Sequence, residues 1–363
     1  MTTAVKEPRA PGVAAKGWGR RAAQLAIAPL AGLLLAVALI AGSGHAPLPT
    51  LLAGFEYALG GPAQIARTVA WGLPLALVTL GVAVAMRSGM FSIGAEGQIY
   101  VGALVGALSG AFLGGLAPVV HQSAVVLLAS LAAGLLSAGL GWLAVRWNVD
   151  VVLSSLLSNY VLMHFCILLA NGPFADDGSD IPGATPQILP SARFELLVPK
   201  TQLTSGFFLV IVLAALVWWL VEKSVAGYRW RMIGESPGFA RAVGIDVAGW
   251  RILSMGLSGA LCGAGGAFLV MATQFRFASE IAIGLGWIAI MLALIGRSRP
   301  GLAVVWVLVY SVMRSASRRI EQVSEVPAEL AVLVICTVLV IAMAAPQIVR
   351  IASENWRRRR GVA

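Results

Sequence analysis

Hydrophobic positions in this chain come in long blocks, without the two-residue or 3.6-residue alternation of a half-buried element, and short polar, basic segments separate them. The blocks lie at 24–40, 68–86, 91–115, 119–145, 149–170, 207–220, 252–271, 281–296, 301–313 and 327–349. A helix that crosses a bilayer needs roughly 20 apolar residues, so this pattern predicts an all-α polytopic membrane protein with about ten transmembrane helices. Pro74 should bend the second span. A small-residue stretch, AGSGHA, follows the first block and raises the alternative of a signal peptide. The long apolar run and the extended basic leader favour a retained anchor.

Charge sets the orientation. With both termini in the cytoplasm, that side receives Arg87, Arg146, Lys223, Arg229, Arg231, Arg241, Arg251, Arg297, Arg299 and Arg350, together with the basic tails at 1–21 and 351–363. The outside receives Arg67, Arg193, Lys200, Arg276, Arg318 and Arg319, with Arg314 near a boundary. That alternation is the one the positive-inside rule requires. The membrane domain then covers 22–350, with an external loop at 171–206 and a cytoplasmic loop at 223–250. The external loop carries Asp176, Asp177 and Asp180 followed by Pro182, Pro186 and Pro190, and reads as a solvated segment or as a surface for an external partner.

Composition agrees with this picture. The 363 residues are 59% hydrophobic and 12% charged, with a mean hydropathy of +0.87, which excludes a sizeable water-soluble domain. The net charge of +10 is spread over short loops beside spans, so it reports topology and not nucleic-acid binding. Cys166, Cys262 and Cys336 all lie in apolar blocks and read as small buried residues without disulfides. The sequence has no GxxxxGK[ST] loop, its histidines (His45, His121, His164) are isolated, and no Cys/His/carboxylate cluster has metal-ligand spacing. We therefore expect no catalytic residue, no metal and no cofactor in this chain.

The most informative polar segment is 227–244, GYRWRMIGESPGFARAVG. Ser236 is a good N-cap, Pro237 fits the first helical position, and Gly244 can close a short helix in a left-handed conformation. An ordinary solvated loop is the competing reading. Inside the blocks, Gly256/Ala260/Ala264 and Gly259/Gly263/Ala267 recur at four-residue spacing, which lets helices approach closely. Glu96, with Gln98 beside it, is expensive if it faces lipid and should face the bundle interior, a cavity or an interface. Asn159 lies mid-span and must find a hydrogen bond. Ile93, Gly94, Ala103, Leu104 and Gly106 recur as Ile283, Gly284, Ala293, Leu294 and Gly296, offset by 190 residues and running in opposite directions. That suits an inverted repeat of five spans each.

Six segments, taken in order, resemble the permease subunits of bacterial ABC importers, most closely the purine nucleoside branch, which is related to monosaccharide and branched-chain amino-acid permeases. They are GMFSIGAEGQIYVGALVGA (89–107), VDVVLSSLLSNYVLMHF (149–165), GPFADDGSDIPGATPQILPSARF (172–194), GYRWRMIGESPGFARAVGI (227–245), LSGALCGAGGAF (257–268) and GLGWIAIMLALIGRSRP (284–300). The resemblance implies a bacterial inner-membrane subunit that works with a cytoplasmic ABC ATPase carrying ATP and magnesium, an external substrate-binding lipoprotein, and a second permease. The IGAEGQ form further implies a paralogous partner and a heterodimer, with a homodimer as the alternative. It also makes 236–243 a coupling helix, with Arg229, Gly234, Glu235, Ser236, Pro237, Ala240, Arg241 and Gly244 at the junction with the ATPase. Many relatives have Asn where this chain has Ser236, and Ser caps about as well. Glu96, Gln98, Asn159 and Gln274 are the residues to examine in the translocation path, each with an interhelical hydrogen bond as its structural alternative. Gly256, Gly259 and Gly263 are assigned to helix packing. A monosaccharide is the alternative cargo, and a proton-coupled secondary transporter is the alternative of another class.

Overall fold

The computed structural model describes residues 47–324, except 177, 179–182 and 199–200, together with residues 37 and 41. The N-terminal tail, most of the first predicted span, the tenth span, the C-terminal tail and Cys336 lie outside the described residues. The chain divides into two units, residues 55–316 and residues 1–54 with 317–363. In the second unit the described residues are few, the beginning of one helix and the end of another among them.

The helices are α1 (Pro47–Leu59), α2 (Pro62–Arg87), α3 (Ala95–Phe112), α4 (Pro118–Trp147), α5 (Val151–Asn171), α6 (Gly206–Lys223), α7 (Val225–Glu235), α8 (Pro237–Ala242), α9 (Val247–Leu269), α10 (Leu285–Ile295) and α11 (Pro300–Ser324). A π turn, Val270–Gln274, extends α9. Six of these stretches are long and apolar enough to cross a membrane: α2, α4, α5, α6, α9 with its π turn, and α11 as far as Arg319.

Several expected boundaries are corrected. The block at 91–115 becomes helical only from Ala95, and the block at 281–296 holds a helix of just 11 residues, because Gly284 at φ +77° starts α10 late. Neither α3 nor α10 meets the length and hydropathy of a full crossing. The helix expected to stop near residue 313 continues to Ser324, so Arg318 and Arg319 are helical and not part of a loop. α1 was not anticipated; Pro47 and Pro49 fall in its first turn, where a missing N–H does little harm. α2 runs unbroken through Pro74.

The core of the larger unit is α2 and α9. Their most apolar stretches are 83% and 78% buried, against 17% for α5 and 22% for α6, so α2 and α9 are enclosed by protein while α5 and α6 turn apolar side chains outward. Outward apolar faces of this kind suit lipid. α9 packs against α2, α3 and α4. Small residues make the closest of these contacts: a Cβ on Gly259 would come 2.5 Å from the Ala133 carbonyl oxygen, one on Gly263 2.5 Å from that of Ala129, and one on Gly256 3.3 Å from the Ala138 Cβ. Cys166 and Cys262 are free and buried.

Candidate functional site

At one end of the bundle the polar island folds as two short helices, α7 and α8, that meet at Ser236. Ser224 caps α7, its Oγ accepting from the Gly227 N–H at 3.3 Å. Trp230 and Ile233 turn inward, and the Trp230 indole donates to the Trp250 carbonyl at 2.9 Å. The Arg229 guanidinium lies 4.9 Å from the centre of the Trp250 ring. Glu222 receives both Arg87 and Arg231 at 3.3 Å, tying the ends of α2 and α6 to the middle of α7. Gly234 sits against the Arg87 carbonyl, where a Cβ would approach to 2.5 Å, and Glu235 ends α7 on the surface.

α8 follows at once and is closed at both ends. The Ser236 Oγ accepts from the Phe239 N–H at 3.4 Å, and Pro237 occupies the first helical position. At the other end Gly244 has φ +83°, its N–H donates to the Arg241 carbonyl at 3.0 Å, and the Ile245 N–H donates to the Ala240 carbonyl at 3.0 Å. This is the Schellman arrangement, in which a left-handed residue lets two late N–H groups satisfy the last carbonyls. Only Ala240 is buried in this helix, in a cluster with Ile233 and Val247. Phe239 (58% exposed) and Val243 (52%) project outward beside the exposed Arg241. These two side chains give the short helix an apolar surface that the fold leaves uncovered.

Beside α8 lies a cleft of about 740 Å³, whose lining includes Met90, Asn148, Asp150, Arg241, Asp246 and Arg251. Asp150 and Asp246 cap α5 and α9 by accepting from Leu153 and Gly249.

A second polar group gathers where the two short helices begin. Gly94 is the N-cap of α3 and Gly284 that of α10, so the pair at the 190-residue offset starts both helices. Glu96, 6% exposed, accepts the Gly284 N–H through Oε1 at 2.8 Å, while its buried Oε2 has no partner among the described residues. Asn159 on α5 accepts the Gly97 N–H. Gln98 donates to the Ser137 hydroxyl at 3.1 Å, which donates to the Met255 carbonyl at 2.7 Å. The structure thus brings Glu96, Gln98 and Asn159 to one locus but leaves Gln274 out; Gln274 is exposed at the end of the π turn. Gly284, Gly286 and Ser137 complete the locus and were not anticipated. The repeated Ile-Gly pair was the available signal for Gly284.

At the end of the bundle opposite α8, the loop after α5 is folded against the bundle, in contrast to a freely solvated segment. Ile188 and Phe194 donate from their backbones to the carbonyls of Phe275 and Met271, and Leu189 donates to that of Gly110. Ala184, Ile188, Ala192 and Phe194 are buried. Arg193 holds the turn by donating to the Ile188 carbonyl and lying 4.8 Å from the Phe275 ring centre. Asp176 and Arg276 pair at 3.9 Å.

Comparison with known proteins adds identity to this geometry. The family described as "Branched-chain amino acid transport system / permease component" matches residues 64–343. A glucose ABC transporter permease protein of Haloferax volcanii, TsgB13, is 29% identical over 309 residues, covering 80% of this chain and 77% of the relative. The guanosine ABC transporter permease protein NupP of Bacillus subtilis is 26% identical over 316 residues, covering 84% and 90%. The nucleoside ABC transporter permease protein NupB of Lactococcus lactis is 26% identical over 306 residues, covering 80% and 82%.

Proposed function

Because the chain belongs to the family of permease components of branched-chain amino acid transport systems, an ABC transporter family, we propose that it forms the membrane path of an importer for a neutral solute, a nucleoside in the first instance. A separate cytoplasmic ATPase, carrying ATP and magnesium, drives it. An external binding lipoprotein delivers the solute. The observation that carries this reading is α8, closed by Ser236 and Gly244 and displaying Phe239, Val243 and Arg241 to a partner. Anchored to the bundle through Ala240 and braced through Trp230 and Glu222, α8 can pass a push from the ATPase into α7, α2 and α9. Gly234 and Glu235 form the joint between α7 and α8, and Arg229 stiffens it from Trp250.

The basic residues near α8 support a cytoplasmic position for that end, in a protein of a bacterial inner membrane. The exposed apolar faces of α4, α5 and α6 are available to lipid and to a second permease, a paralogue in a heterodimer. The matching N-cap glycines of α3 and α10 support an inverted repeat of five spans each, which makes ten spans with those at 24–40 and 327–349. Two short helices whose N-termini meet inside a bundle are a common transporter device for a solute site. Glu96, Gln98 and Asn159 are accordingly placed on the path, with Gln274 towards its outer mouth.

A monosaccharide is the second reading for the cargo, supported by the glucose permease among the relatives. The test is uptake into proteoliposomes holding the complete transporter and its binding protein. ATP-dependent accumulation of labelled guanosine in preference to labelled glucose supports the nucleoside reading. Accumulation driven by a proton gradient without ATP contradicts the importer.

A further inference from the structure

Glu96 is asymmetric in its bonding. Oε1 is held by the Gly284 N–H at 2.8 Å, at the first turn of α10, while Oε2 is buried without a partner among the described residues, in a side chain only 6% exposed. A buried acceptor left open is disfavoured unless something fills it. Gly286 lets the carboxylate reach this position, since a Cβ at 286 would stand 2.8 Å from the Glu96 Cα. The neighbouring polar groups are engaged with one another: Gln98 with Ser137, and Asn159 with Gly97. The open oxygen is therefore the feature of the locus that calls for a donor from outside the fold.

We infer that Glu96 divides its carboxylate between two tasks: Oε1 clasps α10 to α3, and Oε2 accepts a hydrogen bond from the passing solute. The ligand class is a neutral solute bearing hydroxyl or amino donors. This rests on the importer reading above and deepens it by naming the acceptor. Glu96 acts here as a specificity residue: a solute without a donor leaves Oε2 unsatisfied and is rejected.

Glu96→Gln separates the two tasks. Its amide oxygen can still accept from Gly284, but an NH₂ donor replaces the open acceptor. In the complete transporter, in proteoliposomes loaded with ATP, labelled guanosine or glucose uptake should fall at least tenfold with a raised KM, while subunit co-purification and melting temperature stay those of wild type. Glu96→Ala should lose uptake and also melt lower. Wild-type uptake by Glu96→Gln would overturn the inference and leave the carboxylate a structural clasp. ATP-dependent uptake of neither solute by wild type would instead remove the importer reading, and the inference with it. A second readout needs no variant: carbodiimide labelling of Glu96 in wild type, followed by peptide mass, should be suppressed by whichever of guanosine and glucose is transported. Unchanged labelling contradicts a solute-facing oxygen.

Discussion

Gly286 lies against Glu96 so closely that a Cβ at 286 would meet the Glu96 Cβ at 2.7 Å and its backbone nitrogen at 2.6 Å. The two positions differ by the same 190 residues that relate Gly94 to Gly284, so equivalent first turns of α3 and α10 cross at these residues. One carries the long acid and the other carries no side chain.

Gly286→Ala should therefore be destabilising. The contact is with backbone, which cannot rotate away, and overpacking of this kind costs roughly 1–3 kcal/mol. The check is the melting temperature of the purified protein in detergent. Gly238→Ala is the control: a Cβ there has nothing within 4 Å, and replacing a helical Gly by Ala gains about 0.5–1 kcal/mol.

Gly244→Ala isolates a backbone effect. No atom lies within 4 Å of a Cβ at 244, but φ is +83°, so the substitution strains the chain without a clash. A loss of about 1 kcal/mol is expected. It should appear in hydrogen exchange as faster exchange of the Ile245 amide, the donor to Ala240. Unchanged exchange there would contradict the proposed closure of α8.

Ser236→Ala removes the hydroxyl that accepts from Phe239. Losing an N-cap costs about 1 kcal/mol, and Ser236→Asn should restore it. Local exchange at Phe239 is the readout.

These caps were legible because capping is a local matter: Ser236, Pro237 and Gly244 carry their instructions within a few residues of where they act. The long apolar blocks were legible for the same reason, as α2, α4, α5, α6, α9 and α11. What was hidden depends on distant partners. Glu96 gives no sign in sequence that its oxygen will find Gly284, 188 residues away. The loop after α5 reads as polar, Pro-rich chain; it packs because its backbone pairs with residues 271–277, which no local pattern encodes. Gly284 illustrates the limit from the other side. Its block of 16 residues is already short for a crossing, and the positive φ at that glycine delays the helix further and leaves 11 residues.

The central claim is that α8 docks the ATPase, and co-purification from the native membrane tests it most directly. Phe239 and Arg241 are the positions to change, because both are exposed; Ala240 is buried, and a charge there would damage the fold itself. The account predicts that an ABC ATPase co-purifies with wild type, and that Phe239→Glu and Arg241→Glu lose it while keeping the wild-type melting temperature and the second permease. Retention of the ATPase by both variants would contradict it.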